Sequence, residues 1–224
     1  MTWVKICGTT NLEDALLAVD AGADAVGFVF YEKSPRCVTV ETAREICEKL
    51  PGSVEKVGVF VNESAERIDE LVHAAGLTAV QIYAGDVNGS SSGESREFPM
   101  LEYKVIAAVS SEQLQPNTLI TSAIPGVVAY ALLVDSGSGE RPGGTGRVFS
   151  WDNKKETIHA LNSQGSKVIV AGGLGPDNVS AAILVLKPWG VDVVSGVESR
   201  PGKKDPEKVR AFVKAVRDAD RKTS

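Results

Sequence analysis

Short apolar runs rich in β-branched residues recur along the chain, at Val4–Cys7, Ala25–Phe30, Val57–Val61, Ala79–Ile82, Val105–Val109, Val127–Val134, Val168–Ala171 and Val191–Val194. The longest, Val127–Val134, is apolar at every position, the pattern of a strand buried on both faces, as parallel strands are. Between the runs, apolar residues recur at i, i+3, i+4 and i+7. Leu12, Ala15, Leu16 and Val19 form one such stripe, and Ile68, Leu71, Val72 and Ala75 another. Val179, Ala182, Ile183 and Leu186 form a third; Val209, Phe212, Val213 and Val216 form a fourth. This spacing predicts helices with one apolar face. Thr10 with Glu13 reads as a capping box, Asp205-Pro206 and Gly175-Pro176 as helix starts, and Gly22 and Gly76 as helix ends.

Strands that alternate with helices pair in parallel through right-handed crossovers. Eight such units in 224 residues match a (β/α)8 TIM barrel, an α/β fold, formed by a single domain spanning residues 1–224. An open doubly wound sheet is the alternative. It more often carries a GxGxxG fingerprint after its first strand, where this chain has Cys7-Gly8-Thr9-Thr10. Two segments interrupt the rhythm: the serine- and glycine-rich stretch Asp86–Pro99, and Ser110–Gly126 with its two prolines. Short or irregular fourth and fifth helices are expected there.

Composition narrows the class. The chain is 43% hydrophobic and 24% charged, which fits a globular protein rather than a disordered or fibrous one. Its net charge of -5 argues against a nucleic-acid groove and against an anionic membrane surface. No stretch reaches the roughly 18 apolar residues of a membrane span, and the first residues lack the apolar core of a signal peptide. Three cysteines without a CxxC pair suit a reducing compartment. A cytoplasmic protein, monomer or homodimer, is the expectation. Two histidines without a Cys/His cluster make a zinc site improbable.

A barrel of this kind keeps its chemistry at the C-terminal ends of its strands. Cys7, Arg36, Gln81, Asp135, Gly172-Gly173 and Ser195-Gly196 follow the first, second, fourth, sixth, seventh and eighth runs there. Cys7 reads either as a small buried hydrophobe or, as thiolate, as a base. Asp135 reads as a turn residue or as an acid whose pKa burial has raised. Gly172-Gly173 before a helix, together with Ser195-Gly196 after the last run, occupy the usual phosphate position of a barrel. Arg36 suits a carboxylate partner. The glycine loop Arg141–Gly146 could cover a ligand.

A resemblance is carried by Val4-Lys5-Ile6-Cys7-Gly8, by Ala21–Phe30 and by Lys33-Ser34-Pro35-Arg36. Asp135-Ser136, Gly143–Gly146, Trp151, Ala171–Leu174 and Asp192–Glu198 extend it in order along the chain. Together these segments resemble the phosphoribosylanthranilate isomerases of tryptophan biosynthesis. The resemblance implies a cofactor- and metal-free Amadori rearrangement of a small phosphorylated substrate. Asp135 would be the general acid and Cys7 the general base. Arg36, Gln81 and Gly144 would contact the substrate, and Gly172, Gly173, Ser195 and Gly196 its phosphate. The family pattern Gln-Leu-His-Gly is replaced by Gln81-Ile82-Tyr83-Ala84-Gly85, Ser150 stands before Trp151 where Asp is common, and Cys37 replaces a frequent aromatic. Three other readings stay open at this point: a metal-dependent phosphopentose epimerase, an indole-glycerol-phosphate synthase using Lys5, and a non-catalytic phosphate-binding barrel.

Overall fold

The computed structural model describes residues 1–83, 102–115, 128–136 and 149–223. Eight parallel strands close into a barrel: β1 (Trp3–Ile6), β2 (Ala25–Val29), β3 (Glu55–Phe60), β4 (Ala79–Tyr83), β5 (Lys104–Ser110), β6 (Ala131–Asp135), β7 (Val168–Val170) and β8 (Gly190–Val193). Each strand pairs with the next, and β8 returns to β1 with Lys5 opposite Asp192. The helices are α1 (Leu12–Asp20), α2 (Val40–Cys47), α3 (Ala65–Ala75), α4 (Trp151–Ser163), α5 (Val179–Leu186) and α6 (Pro206–Thr223). The segments expected to hold irregular fourth and fifth helices, between β4 and β5 and between β5 and β6, fall largely outside the described residues.

Period-two alternation sorts the strand residues into two cores. Ala25, Val57, Ala79, Ile106, Ala108, Ala131, Leu133, Ile169 and Ala171 pack together inside the barrel. Their alternates, such as Val4, Ile6, Val26, Phe28, Leu132, Val134, Val168 and Val170, meet the helices outside. Every strand is therefore covered on both faces, which explains the unbroken apolar runs. The sixth run is shorter than its composition suggests. Val128 is 78% exposed, and the strand starts at Ala131. Below it, Trp3 stacks on Trp189, Tyr130 meets Trp189 edge-on, and Lys167 lies 3.7 Å over the Tyr130 ring. All three aromatics stand at or just before strand starts, so they close the N-terminal end of the barrel.

The periodic stripes of α3, α5 and α6 are buried throughout. In α1 the stripe is displaced. Ala15 and Ala18 face the core, Leu16 is 38% exposed, and the buried polar residue is Asp14. The cap is correspondingly Asn11, whose side chain accepts from the Asp14 N–H; Thr10 instead donates to the Gly202 carbonyl. Asp205 caps α6 through the Glu207 and Lys208 amides, with Pro206 at the first helical position. Gly175-Pro176 forms a turn before α5, which begins only at Val179. Gly76 ends α3 in the left-handed conformation.

Two ties were not anticipated. The charged end of α6 ties to the start of the chain: Asp220 accepts from Thr2, and Arg217 donates to the Thr2 and Gly22 carbonyls and to Asp24. After β8, a short antiparallel hairpin, β9 (Glu198–Arg200) with β10 (Lys203–Lys204), docks on α1 through Asp14. Burial alone would raise the Asp14 carboxyl, but its bonds to Lys203, Lys204 and Asn11 hold it below its ordinary value.

Candidate active site

Alternation along β1 turns Trp3 and Lys5 inward, and Cys7, one residue past the strand, continues that side. A Cβ built on Gly27 would stand 2.6 Å from the Cys7 sulfur, so the thiol occupies the space that glycine leaves on β2. Beneath it, the fully buried Lys5 ammonium bonds Asp192 at 2.7 Å. Burial lowers Lys5, but Asp192 and the Cys7 sulfur outweigh it and hold the amine above its ordinary value. Burial pushes the Cys7 thiol up, with Lys5 and Lys204 working against that rise and Asp192 adding to it. The space beside Gly8 is filled by Arg36: a Cβ built on Gly8 would lie 2.6 Å from Cδ of Arg36, whose stem rests on it.

Across the barrel, Gln81 and Tyr83 lie on the inward side of β4, and Asp135 ends β6. Gln81 is thus a strand residue rather than a loop residue, and it is buried with its Oε1 unpartnered among the described residues. Asp135 is 5% exposed. The Tyr83 hydroxyl lies 3.5 Å from its Oδ2, at the outer limit of a hydrogen bond. Burial, then the Asp135, Cys7 and Asp192 charges, push the Tyr83 phenol well above its ordinary value. Cys7 and Asp135 both stand on the inward side at the C-terminal ends of their strands, β1 and β6 of the closed barrel.

The loops after β7 and β8 meet backbone to backbone. A Cβ on Gly196 would collide with the Leu174 carbonyl, and one on Gly172 with Ser136. Gly172 and Gly173 both adopt positive φ. Asn178 ties the turn together, accepting from the Gly175 N–H and donating to the Gly173 carbonyl. Ser195 and Gly196 form a short 3-10 turn, Ser195–Val197, over the end of β8. Gly144 and the rest of the loop 141–146 lie outside the described residues.

Arg36 lies between β2 and α2, bound bidentately by Glu198, with Nε donating to Oε1 at 2.8 Å and Nη2 to Oε2 at 2.7 Å. Glu198 also receives the buried Lys204 ammonium. Burial would raise the Glu198 carboxyl; Arg36 and Lys204 hold it below its ordinary value instead. Residue-by-residue reading passed over Tyr83, Asp192, Glu198 and Lys204 as site members. Asp192 and Glu198 were visible only as parts of a motif, and Lys204 only as one lysine in a charged stretch. Among the described residues no group of three or more His, Cys, Asp or Glu could hold a metal ion. His73 and His159 bond helix carbonyls, of Asp69 and Val185 respectively.

A closed eight-stranded parallel barrel with titratable side chains gathered at its C-terminal mouth defines an enzyme of the (β/α)8 class. Residues 4–215 match the family of N-(5'-phosphoribosyl)anthranilate (PRA) isomerase. The N-(5'-phosphoribosyl)anthranilate isomerase of Thermotoga neapolitana is 46% identical over 219 residues, 97% of this chain and 99% of that protein. The phosphoribosyl anthranilate isomerase structure from Thermotoga maritima superposes with a TM-score of 0.81 at 39% identity, covering 97% of this chain and all of that one. A further isomerase structure, in complex with reduced 1-(o-carboxyphenylamino)-1-deoxyribulose 5-phosphate, has a TM-score of 0.78 and 37% identity, with 97% and 100% covered. The chain belongs to this family, the phosphoribosylanthranilate isomerases of tryptophan biosynthesis.

Proposed function

We propose that the chain isomerises N-(5'-phosphoribosyl)anthranilate to 1-(2-carboxyphenylamino)-1-deoxyribulose 5-phosphate, an Amadori rearrangement, with Asp135 as general acid and Cys7 as general base. Asp135 donates its proton to the ribose ring oxygen as the C1–O bond breaks, leaving a protonated Schiff base at C1. The Cys7 thiolate then removes the C2 proton, and the C2–H electrons neutralise the iminium to give an enolamine. Tautomerisation to the 2-ketone completes the step. No atoms are lost and no electrons leave the substrate.

The remaining residues hold the substrate's two ends. Arg36 faces the anthranilate carboxylate with its unused N–H pair. The backbone around Gly172, Gly173, Ser195 and Gly196 receives the phosphate, which favours close approach to N–H groups and a helix N-terminus. Gln81 lies below the mouth with an oxygen that has no partner among the described residues and could accept from the sugar; Gly144, outside the described residues, is the remaining proposed substrate contact. Anchoring both ends holds the reacting atoms in line, an effect that can supply several kcal/mol.

The observation that supports this reading is geometric: Cys7 continues the inward side of β1 with its sulfur against Gly27, Asp135 ends the inward side of β6, and the Tyr83 hydroxyl lies 3.5 Å from the Asp135 carboxyl. The test is kinetic: Cys7→Ala and Asp135→Asn each lower kcat by about 10²-fold or more in folded protein. Wild-type turnover in both variants would overturn it.

A further inference from the structure

Arg36 engages Glu198 side-on, through Nε and Nη2. A guanidinium bound in this way has spent two of its five N–H groups and keeps its end-on pair, on Nη1 and Nη2, pointing in a fixed direction. The stem packs against Gly8, the residue next to Cys7. The Arg36 side chain is 12% exposed and that of Glu198 4%.

The carboxylate of Glu198 would by itself cancel Arg36 and repel an incoming anion. Lys204 changes that balance. Its fully buried Nζ faces three acceptors: the Cys7 carbonyl at 2.6 Å, the Val194 carbonyl at 3.3 Å and Glu198 Oε1 at 3.3 Å. Three acceptors around one nitrogen match the three donors of an ammonium. Arg36 and Lys204 positive against Glu198 negative leave the cluster at net +1. One arriving carboxylate neutralises it. The same ammonium ties the end of β1, which carries Cys7, to the end of β8, while the Lys204 N–H is held by Asp14 on α1.

We propose that Glu198 and Lys204 are positioning residues that turn Arg36 into a prearranged receptor for the ring carboxylate of the substrate, Glu198 fixing the direction of the guanidinium and Lys204 supplying the charge that keeps the receptor net positive. The inference rests on the assignment of Arg36 to the anthranilate carboxylate. It adds specificity: a substrate without that carboxylate gains nothing from the cluster.

The test measures affinity for two probes in each protein: reduced 1-(2-carboxyphenylamino)-1-deoxyribulose 5-phosphate, and the same compound without its ring carboxyl. In the unaltered protein the carboxylated probe binds more tightly. Arg36→Met abolishes that preference. Glu198→Gln and Lys204→Met each reduce it by about tenfold, a 1.4 kcal/mol difference, and neither reduces it further once Arg36 is Met. A purely structural role lowers both affinities alike, so the preference would be unchanged in Glu198→Gln and Lys204→Met, and that result overturns the proposal. Because the preference is a ratio taken within one sample, a partly unfolded variant still reports it. An unchanged preference in Arg36→Met would instead overturn the assignment of Arg36 itself. Steady-state kinetics supplies the second readout: KM rises in Glu198→Gln while kcat stays within a few-fold, the pattern of lost uniform binding. A fall in kcat at constant KM would contradict it.

Discussion

Gly27 is the position where a single methyl group would test the site most sharply. Its φ is not in the left-handed region, so alanine is tolerated by the backbone. What alanine meets is Cys7: the added Cβ would lie 2.6 Å from the sulfur and 3.1 Å from both Cα and Cβ of that residue. Comfortable nonbonded contact begins at about 3.5 Å. The sulfur must therefore retreat by roughly 1 Å, and because β1 is pinned between β2 and β8 it cannot move as a whole. Overpacking of this kind costs about 1–3 kcal/mol, a loss that a domain with about 5–15 kcal/mol of stability survives. Each kcal/mol lowers the melting midpoint by about 2–4 °C for a chain of this size. A displacement of about 1 Å in a reacting group costs on the order of 10² in rate. Gly27→Ala is thus expected to melt several degrees lower, to bind inorganic phosphate like the unaltered protein, and to turn over about a hundredfold more slowly. Folded Gly27→Ala with turnover within twofold of the unaltered enzyme would refute the placement of the Cys7 sulfur against Gly27 or its part in the reaction.

Burial pushes the Cys7 thiol above its ordinary value, and the proton-accepting form is the thiolate, so little of it exists at neutral pH; kcat/KM should climb as pH rises from 6 to 9, and a flat profile would contradict the assignment. The same burial makes iodoacetamide label the exposed Cys37 first, so inactivation through Cys7 should appear slowly, with substrate protection, and at the same rate in a Cys37→Ser background. Lys5→Met strands Asp192 as a buried, unpaired charge and should cost about 3–5 kcal/mol in denaturant titrations. Replacing both partners, as Lys5→Met with Asp192→Leu, should recover most of that stability but not the activity, since the ammonium beside the thiol is gone.

The barrel itself was readable because parallel strands buried on both faces write long apolar runs, and nothing else in a chain of this size repeats them eight times. Where reading failed, a local signal was outweighed by a distant partner. Thr10 looks like a helix cap, yet Gly202 takes its hydroxyl and Asn11 caps instead. Leu16 completes an apolar stripe, but α1 packs through its alanines because Asp14 must face the β9–β10 hairpin. Val127–Val134 is uniformly apolar, but Val128, Ala129 and Tyr130 precede the strand, which starts at Ala131. Cys7, Arg36, Asp135 and the glycine pairs follow strands directly, and topology alone brings them to one end. Glu198 and Lys204 could not be found that way: Glu198 meets Arg36 across 162 residues of chain, and Lys204 joins the cluster only through Glu198 and the strand-end carbonyls. Tyr83 was visible only as a departure from the family pattern, and its meaning depends on which side chains it faces.

In the proposed mechanism the Cys7 sulfur and the Asp135 carboxyl reach the same sugar from one mouth. A crystal structure of this protein with reduced 1-(2-carboxyphenylamino)-1-deoxyribulose 5-phosphate tests it most directly. The sulfur is expected about 3–3.5 Å from C2 of the bound analogue, with Asp135 within hydrogen-bond reach of the hydroxyl that derives from the ring oxygen. An analogue seated with its phosphate on the β7 and β8 loops, but with C2 beyond reach of Cys7 or the hydroxyl turned away from Asp135, would contradict it.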